Sequence, residues 1–246
     1  MILFTFALSG NGLSVDMKYL DHMFFDSKHK AKERRNTTIQ KLDALGVDHC
    51  EGLPLIGGYR LCKGEEEICK RFIASLFFSA LATEYMQSRA DFDESKEVTE
   101  RAVEAFRLKD ALLPEEKKML EACDESTAIK ESWAVECCCM LAWALGLLPD
   151  DEVELPDTEG AYRLFRFIEP YDTLDTFMAS CKLREISEIM DMLDLYYNYH
   201  WACVDHRLNE TTRCGTLNEE VVMERRKALE WLVCTDKDWN EISLDT

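Results

Sequence analysis

Three ionisable groups stand on helical faces that are otherwise apolar, and their types suit either an ion-pair network or acid/base chemistry. Glu136 is the lone charge between Trp133 and Leu148. Arg225 falls in the middle of the stripe Val221, Val222, Ala228, Leu229 and Leu232. His200 lies on the stripe Leu183, Ile186, Met190, Leu193, Tyr197, Val204 and Leu208, about 20° from Leu193 by the helical period, and Arg207 falls at the same edge. A buried carboxylate or guanidinium is prohibitive unless paired. The economical arrangement therefore joins Glu136 to Arg225, with His200 or Arg207 in the same network and Asp205 entering from the boundary of its helix. Two readings fit this cluster. One is a structural ion-pair network that fixes helix register. The other is a polar pocket that binds a ligand or does acid/base work, with His200 titrating near neutrality.

Other chemistries find less support. His200, Cys203, His206 and Cys214 match none of the common zinc spacings, and His200 and His206 point about 120° apart on one helix. No cysteine lies at a predicted helix N-terminus, where a thiolate would be stabilised. Gly-rich phosphate loops, GxSxG and HExxH are absent from the sequence. Neither a metal nor a cofactor is expected.

The elements that must position the cluster are helical. Trp133–Leu148 is apolar on every side, which marks a buried helix or a membrane span. Its 16 residues fall short of the ~20 that a bilayer requires, so it reads as the central helix of an all-α domain. Asp124, Ser126 and Thr127 are its candidate N-caps, and Gly146 its stop. The spacing predicts further helices over Glu65–Tyr85, Ser95–Phe106, Pro114–Ala122, Ala161–Ile168, Leu183–Asn209 and Leu217–Cys234. Gly52, Pro54, Gly57 and Gly58 make 48–63 a loop, and 150–160 is an acidic surface loop without the ligand pattern of a calcium site. The basic run Lys28–Arg35 reads as a solvated face leading into Ile39, Leu42 and Leu45, stopped by Gly46. Residues 1–30 read as an N-terminal extension docked on the single domain 31–246. Within that extension Ile2–Leu8 suits a short strand or docking segment better than a signal peptide, and Met17 and Met23 are alternative starts.

Composition narrows the function classes. Forty-eight acids against 29 bases give a net charge of −19, which argues against a phosphate backbone and for a basic partner. Cys137, Cys138 and Cys139 are consecutive in the apolar helix and the count of 11 is odd, so the thiols read as reduced and the compartment as cytoplasmic.

Several strings resemble the domain of unknown function 4272 family, in order from about Arg34 to Thr246. RRNTTIQKLDALGVD looks like its opening, LLPEEKKML its short mid-chain helix and WAVECCCMLAWALGLL its core. HWACVDHRLN, VVMERRKALEWL and the terminal DWNEISLDT are similar to its later segments. The resemblance puts Glu136, His200, Asp205, Arg207, Glu224 and Arg225 on motif positions, while Arg226 stands where the family more often has His. It leaves Cys203, His206 and Cys214 outside the pattern and implies no particular activity.

The expected function is a non-enzymatic cytoplasmic binding protein for a basic protein partner, a toxin-neutralising (immunity-like) role being one concrete version. The alternative is an enzyme or small-ligand receptor built on Glu136, His200, Asp205, Arg207 and Arg225. Neither nucleic acid nor membrane is expected as a partner.

Overall fold

The CCC helix is the middle of the molecule. In the computed structural model, which describes residues 30–157, 161–234 and 237–246, every side chain from Val135 to Ala144 is buried. The chain builds helices α1 (Lys30–Leu45), α2 (Glu65–Gln87), α3 (Arg89–Ala105), α4 (Pro114–Ala122), α5 (Glu125–Ser132) and α6 (Ala134–Ala144). It continues with α7 (Ala161–Phe165), α8 (Leu174–Met178), α9 (Ile186–Leu208) and α10 (Glu219–Val233), and no β-strand occurs among the described residues. A helix apolar all round must be covered all round. α2 covers one side of α6 and α10 the other; α10 packs on α9 and α9 on α1, while α2 also carries α3 and α5. One continuous core runs through these layers, as expected for a single all-α domain. The predicted N-terminal strand, the docking of the extension and the alternative starts lie outside the described residues.

The expected central helix is shorter than its apolar run. Asp124 is an N-cap, its carboxylate accepting the Thr127 amide at 2.8 Å, but the helix it starts is α5. The chain turns at Trp133 before α6 begins. At the far end Gly146 takes φ +74°, with Leu147 N bonded to Ala142 O and Gly146 N to Trp143 O, the paired closure of a helix by a left-handed residue. The remaining carbonyls are met by the loop before α9: Lys182 N reaches Leu145 O, Arg184 N reaches Ala144 O, and Arg184 Nε reaches Trp143 O at 2.8 Å. A Cβ on Gly146 would lie 2.5 Å from Lys182 O, so that docking requires glycine twice over.

Smaller corrections concern ends. α3 starts at Arg89 rather than Ser95, α7 stops at Phe165 rather than Ile168, and α8 has no counterpart among the predicted helices. The solvated reading of the basic run fails for Arg34 and Arg35, both buried. Arg34 Nε meets Asp191 at 2.7 Å and Arg35 Nη2 meets Asp194 at 2.8 Å, so these arginines pin α1 to α9. The same guanidinium groups also donate to the carbonyls of Leu53, Pro54 and Ile56, holding the 48–63 loop.

Candidate functional site

Burial forces the charge on α6 to find a partner, and it does. Glu136 and Arg225 are buried and joined, Nε to Oε2, at 3.0 Å. One carboxylate cannot use all the donors of a guanidinium. The rest of Arg225 goes to Tyr196 Oη at 3.2 Å, Leu155 O at 3.2 Å and Asp157 O at 2.5 Å. Tyr196 passes the connection on by donating to Val153 O at 2.6 Å, and Tyr199 donates to Glu154 O at 3.1 Å. Four carbonyls of the acidic loop are thus tied to α9 and α10 from beneath, which makes the cluster a mount for that loop.

The mounted loop forms one wall of a cleft of about 420 Å³ between α1 and α9. Its charges are largely satisfied within the cleft: Lys41 Nζ lies 2.5 Å from Glu154, and Trp143 Nε1 donates to Asp150 at 2.8 Å. Arg184 also reaches Asp150, at 3.1 Å, and stacks on Trp143 with its guanidinium carbon 4.6 Å from the ring centroid.

His200 and Arg207 do not enter the Arg225 network. Helical positions 225 and 226 differ by about 100°, so Arg225 faces α6 while Arg226 faces α9. Arg226 Nη1 donates to His200 Nδ1 at 2.7 Å, which leaves the imidazole proton on Nε2. The same side chain binds Leu244 O at 3.2 Å, Asp245 O at 3.1 Å and Thr246 Oγ1 at 3.0 Å, with its guanidinium 4.6 Å from the Tyr197 ring. It clasps the segment after α10. Burial first, then the cationic Arg226 and Arg207, holds His200 down to about 4, so it is neutral at physiological pH. Arg207 is exposed and pairs with Glu219 at 3.2 Å. Asp205 is half-buried, with no hydrogen bond or ion pair to Arg225 among the described residues. Glu224 Oε2 instead accepts from the Cys137 thiol at 3.1 Å.

Two features lie beyond what the sequence pattern indicates. Tyr196 carries no charge, and only its hydroxyl geometry reveals its part. The second is a further ionic cluster: Arg71 of α2 pairs with Glu116 of α4 and donates to Ser75 Oγ at 3.0 Å and Ala111 O at 3.2 Å. Glu131 is buried beside it, and burial followed by repulsion from Glu116 pushes its carboxyl up to about 7. A signal for this cluster does exist, since Arg71 adjoins Ile68, Phe72 and Ser75 on an inward face of α2.

All 11 cysteines are free thiols. Burial raises Cys137 and Cys138 well above the ordinary thiol range, the opposite of what a nucleophile needs. His206 Nδ1 lies 2.6 Å from Thr212 O, and no cluster able to hold a metal occurs among the described residues. No helix there is long and apolar enough to cross a membrane.

The chain has no match among curated proteins or among solved structures. Residues 34–242, most of the chain, match the profile of the domain of unknown function 4272, and the chain belongs to that family.

Proposed function

With that family as the premise, we propose that this chain is a non-enzymatic cytoplasmic binding protein whose acidic surface receives a basic protein partner. The observation that carries the reading is where the charge sits. Among the described residues the buried charges nearly cancel: Arg34, Arg35, Arg71, Arg225 and Arg226 lie within, against Glu116, Glu131, Glu136 and Asp194. The acidic excess behind the net charge of −19 is therefore outside the core, where it steers and holds a cationic partner. Glu136 and Arg225 are 0% and 1% exposed, and His200 pairs with Arg226 instead of joining them, which supports a structural part for the cluster. Its work in this reading is mechanical, presenting the acidic loop.

The test is affinity capture with the purified chain at low and high salt, read by mass spectrometry, alongside a neutral protein of similar size. Capture of a basic protein at low salt and its release at high salt is the expected outcome. Binding of basic proteins no stronger than that of the neutral control would remove the proposal.

A further inference from the structure

Three concave features of the described surface differ in the sign of their exposed charge. The cleft between α1 and α9 mixes Lys30 and Lys41 with acids most of which are already paired. The outer face of α3 offers Glu97, Glu100 and Glu104 together with Arg101, and among the side chains lining it only Ala105 is apolar. The third is a groove of about 770 Å³ where the start of α2, the 110–114 turn and the segment after α10 meet. Its floor is apolar, made by Leu112, Leu113, Trp231 and Trp239. On its rim stand Glu66, Glu67, Asp110, Asp238 and Glu241, all exposed. Of the two bases that line it, Arg71 is buried on Glu116, and Lys70 is half-buried with its ammonium 2.7 Å from Glu66; Lys63, itself half-buried, reaches Glu67 at 3.5 Å. Every exposed charge on that rim is therefore negative.

The tryptophans already show what they attract. Lys63 Nζ sits 5.0 Å from the Trp231 ring centroid and Lys227 Nζ 5.3 Å from that of Trp239, because an ammonium is drawn to the negative face of an indole. A rim of carboxylates around an aromatic and aliphatic floor is complementary to a chain segment that sets apolar side chains between lysines or arginines.

We propose that this groove is the docking site for a short amphipathic basic segment of the protein partner, its apolar side chains on the Leu112/Trp239 floor and its cations on the Glu66, Glu67 and Glu241 carboxylates. The inference rests on the acidic-surface reading above and names the part of the surface that does the binding.

The experiment uses the full chain and a fluorescein-labelled peptide alternating lysine with leucine, read by fluorescence anisotropy. Two triple variants with the same change of charge are compared: E66K/E67K/E241K on the groove and E97K/E100K/E104K on α3. All six positions are exposed, and circular dichroism checks that both variants fold. The groove variant is expected to lose about tenfold or more in affinity, ~1.4 kcal/mol, and the α3 variant much less. A peptide with serine for leucine should also bind the wild type more weakly, since the floor then has nothing to cover. Equal losses in both variants would overturn the groove while leaving the acidic-surface reading in place. A wild-type chain that binds the peptide no better than its glutamate counterpart would overturn both.

Discussion

Two buried ionic clusters flank α6, and they are built to different charge balances. On the α10 side, one guanidinium meets one carboxylate, Arg225 with Glu136, and the remaining donors go to a phenol and to backbone carbonyls. On the α2 side, Arg71 faces two acids: Glu116 takes the ion pair, and Glu131 is buried with no ion pair of its own among the described residues. Burial is comparable in the two places. What differs is the count, and with it the pH response: the odd carboxyl is pushed up to about 7 by burial and by Glu116. Burial raises this carboxyl, and the lack of a second cation leaves the rise uncompensated, so the α2-side cluster can feel physiological pH.

Cutting the balanced pair gives the largest expected effect. Glu136→Gln leaves Arg225 buried without its counter-charge, a situation that costs roughly 3–5 kcal/mol. Chemical denaturation of the variant should show a loss of that size. A near-neutral effect would mean that Tyr196 and the loop carbonyls satisfy Arg225 unaided, and the distinction between the clusters would then rest on hydrogen bonding alone.

Glu131→Gln should move stability the other way, and only at high pH. The folded-state value of about 7 lies above the ordinary 4.5, so the native chain retains a proton that the unfolded chain releases. Wild-type stability is favoured below 4.5 and falls as pH rises from 4.5 through 7, beyond which a carboxylate without an ion pair is buried beside Glu116. Glutamine mimics the protonated acid. Each tenfold difference in proton affinity between the folded and unfolded chains is worth about 1.4 kcal/mol, so the variant should exceed wild type by on the order of 3 kcal/mol at about pH 8. The gap should close towards pH 4.5. Denaturation midpoints measured across that range check it; a gap that does not vary with pH would place Glu131 in a balanced cluster too.

The two clusters are not equally legible in the sequence, for a physical reason. Glu136 stands out because its helix carries no other charge, and Arg225 because it interrupts an apolar stripe; opposite signs in a shared core then name each other. Arg71 sits at the end of the charged turn EEEICKR, where a solvated arginine is ordinary. Its position beside Ile68 and Phe72 points inwards, but its burial is completed by α4 and the 109–114 turn lying over it, a tertiary event. Arg34 and Arg35 mislead in the same way, since their acids lie 157 and 159 residues downstream. The helical period puts His200 inside, as the structure does, but points it to the wrong partner. The choice between Arg225 and Arg226 depends on helix rotation and on the Leu244–Thr246 segment that Arg226 holds. The apolar run around Trp133 hides a break for a related reason, as hydrophobicity continues across a turn that only the Asp124 cap and the geometry of α5 mark.

The smallest effect tests whether the clusters act separately. Tyr196→Phe keeps the ring packed and the Glu136–Arg225 pair intact, but removes the hydroxyl that accepts from Arg225 at 3.2 Å and donates to Val153 O at 2.6 Å. Losing such a buried bridge costs about 1–2 kcal/mol. The loss should be local, because the bridge leads from the cluster to the acidic loop: amide exchange should quicken at Val153 and Glu154, whose N–H groups bond Asp150 O, and stay slow in α2 and α5. Since Tyr196 lies on the α10 side and Glu131 on the α2 side, the double variant Tyr196→Phe/Glu131→Gln should show effects additive within about 0.5 kcal/mol. A larger coupling would mean that α6 transmits strain between its flanks. The pH-sensitive carboxyl would then act on the loop that the balanced pair mounts, and the two clusters would be one device instead of two.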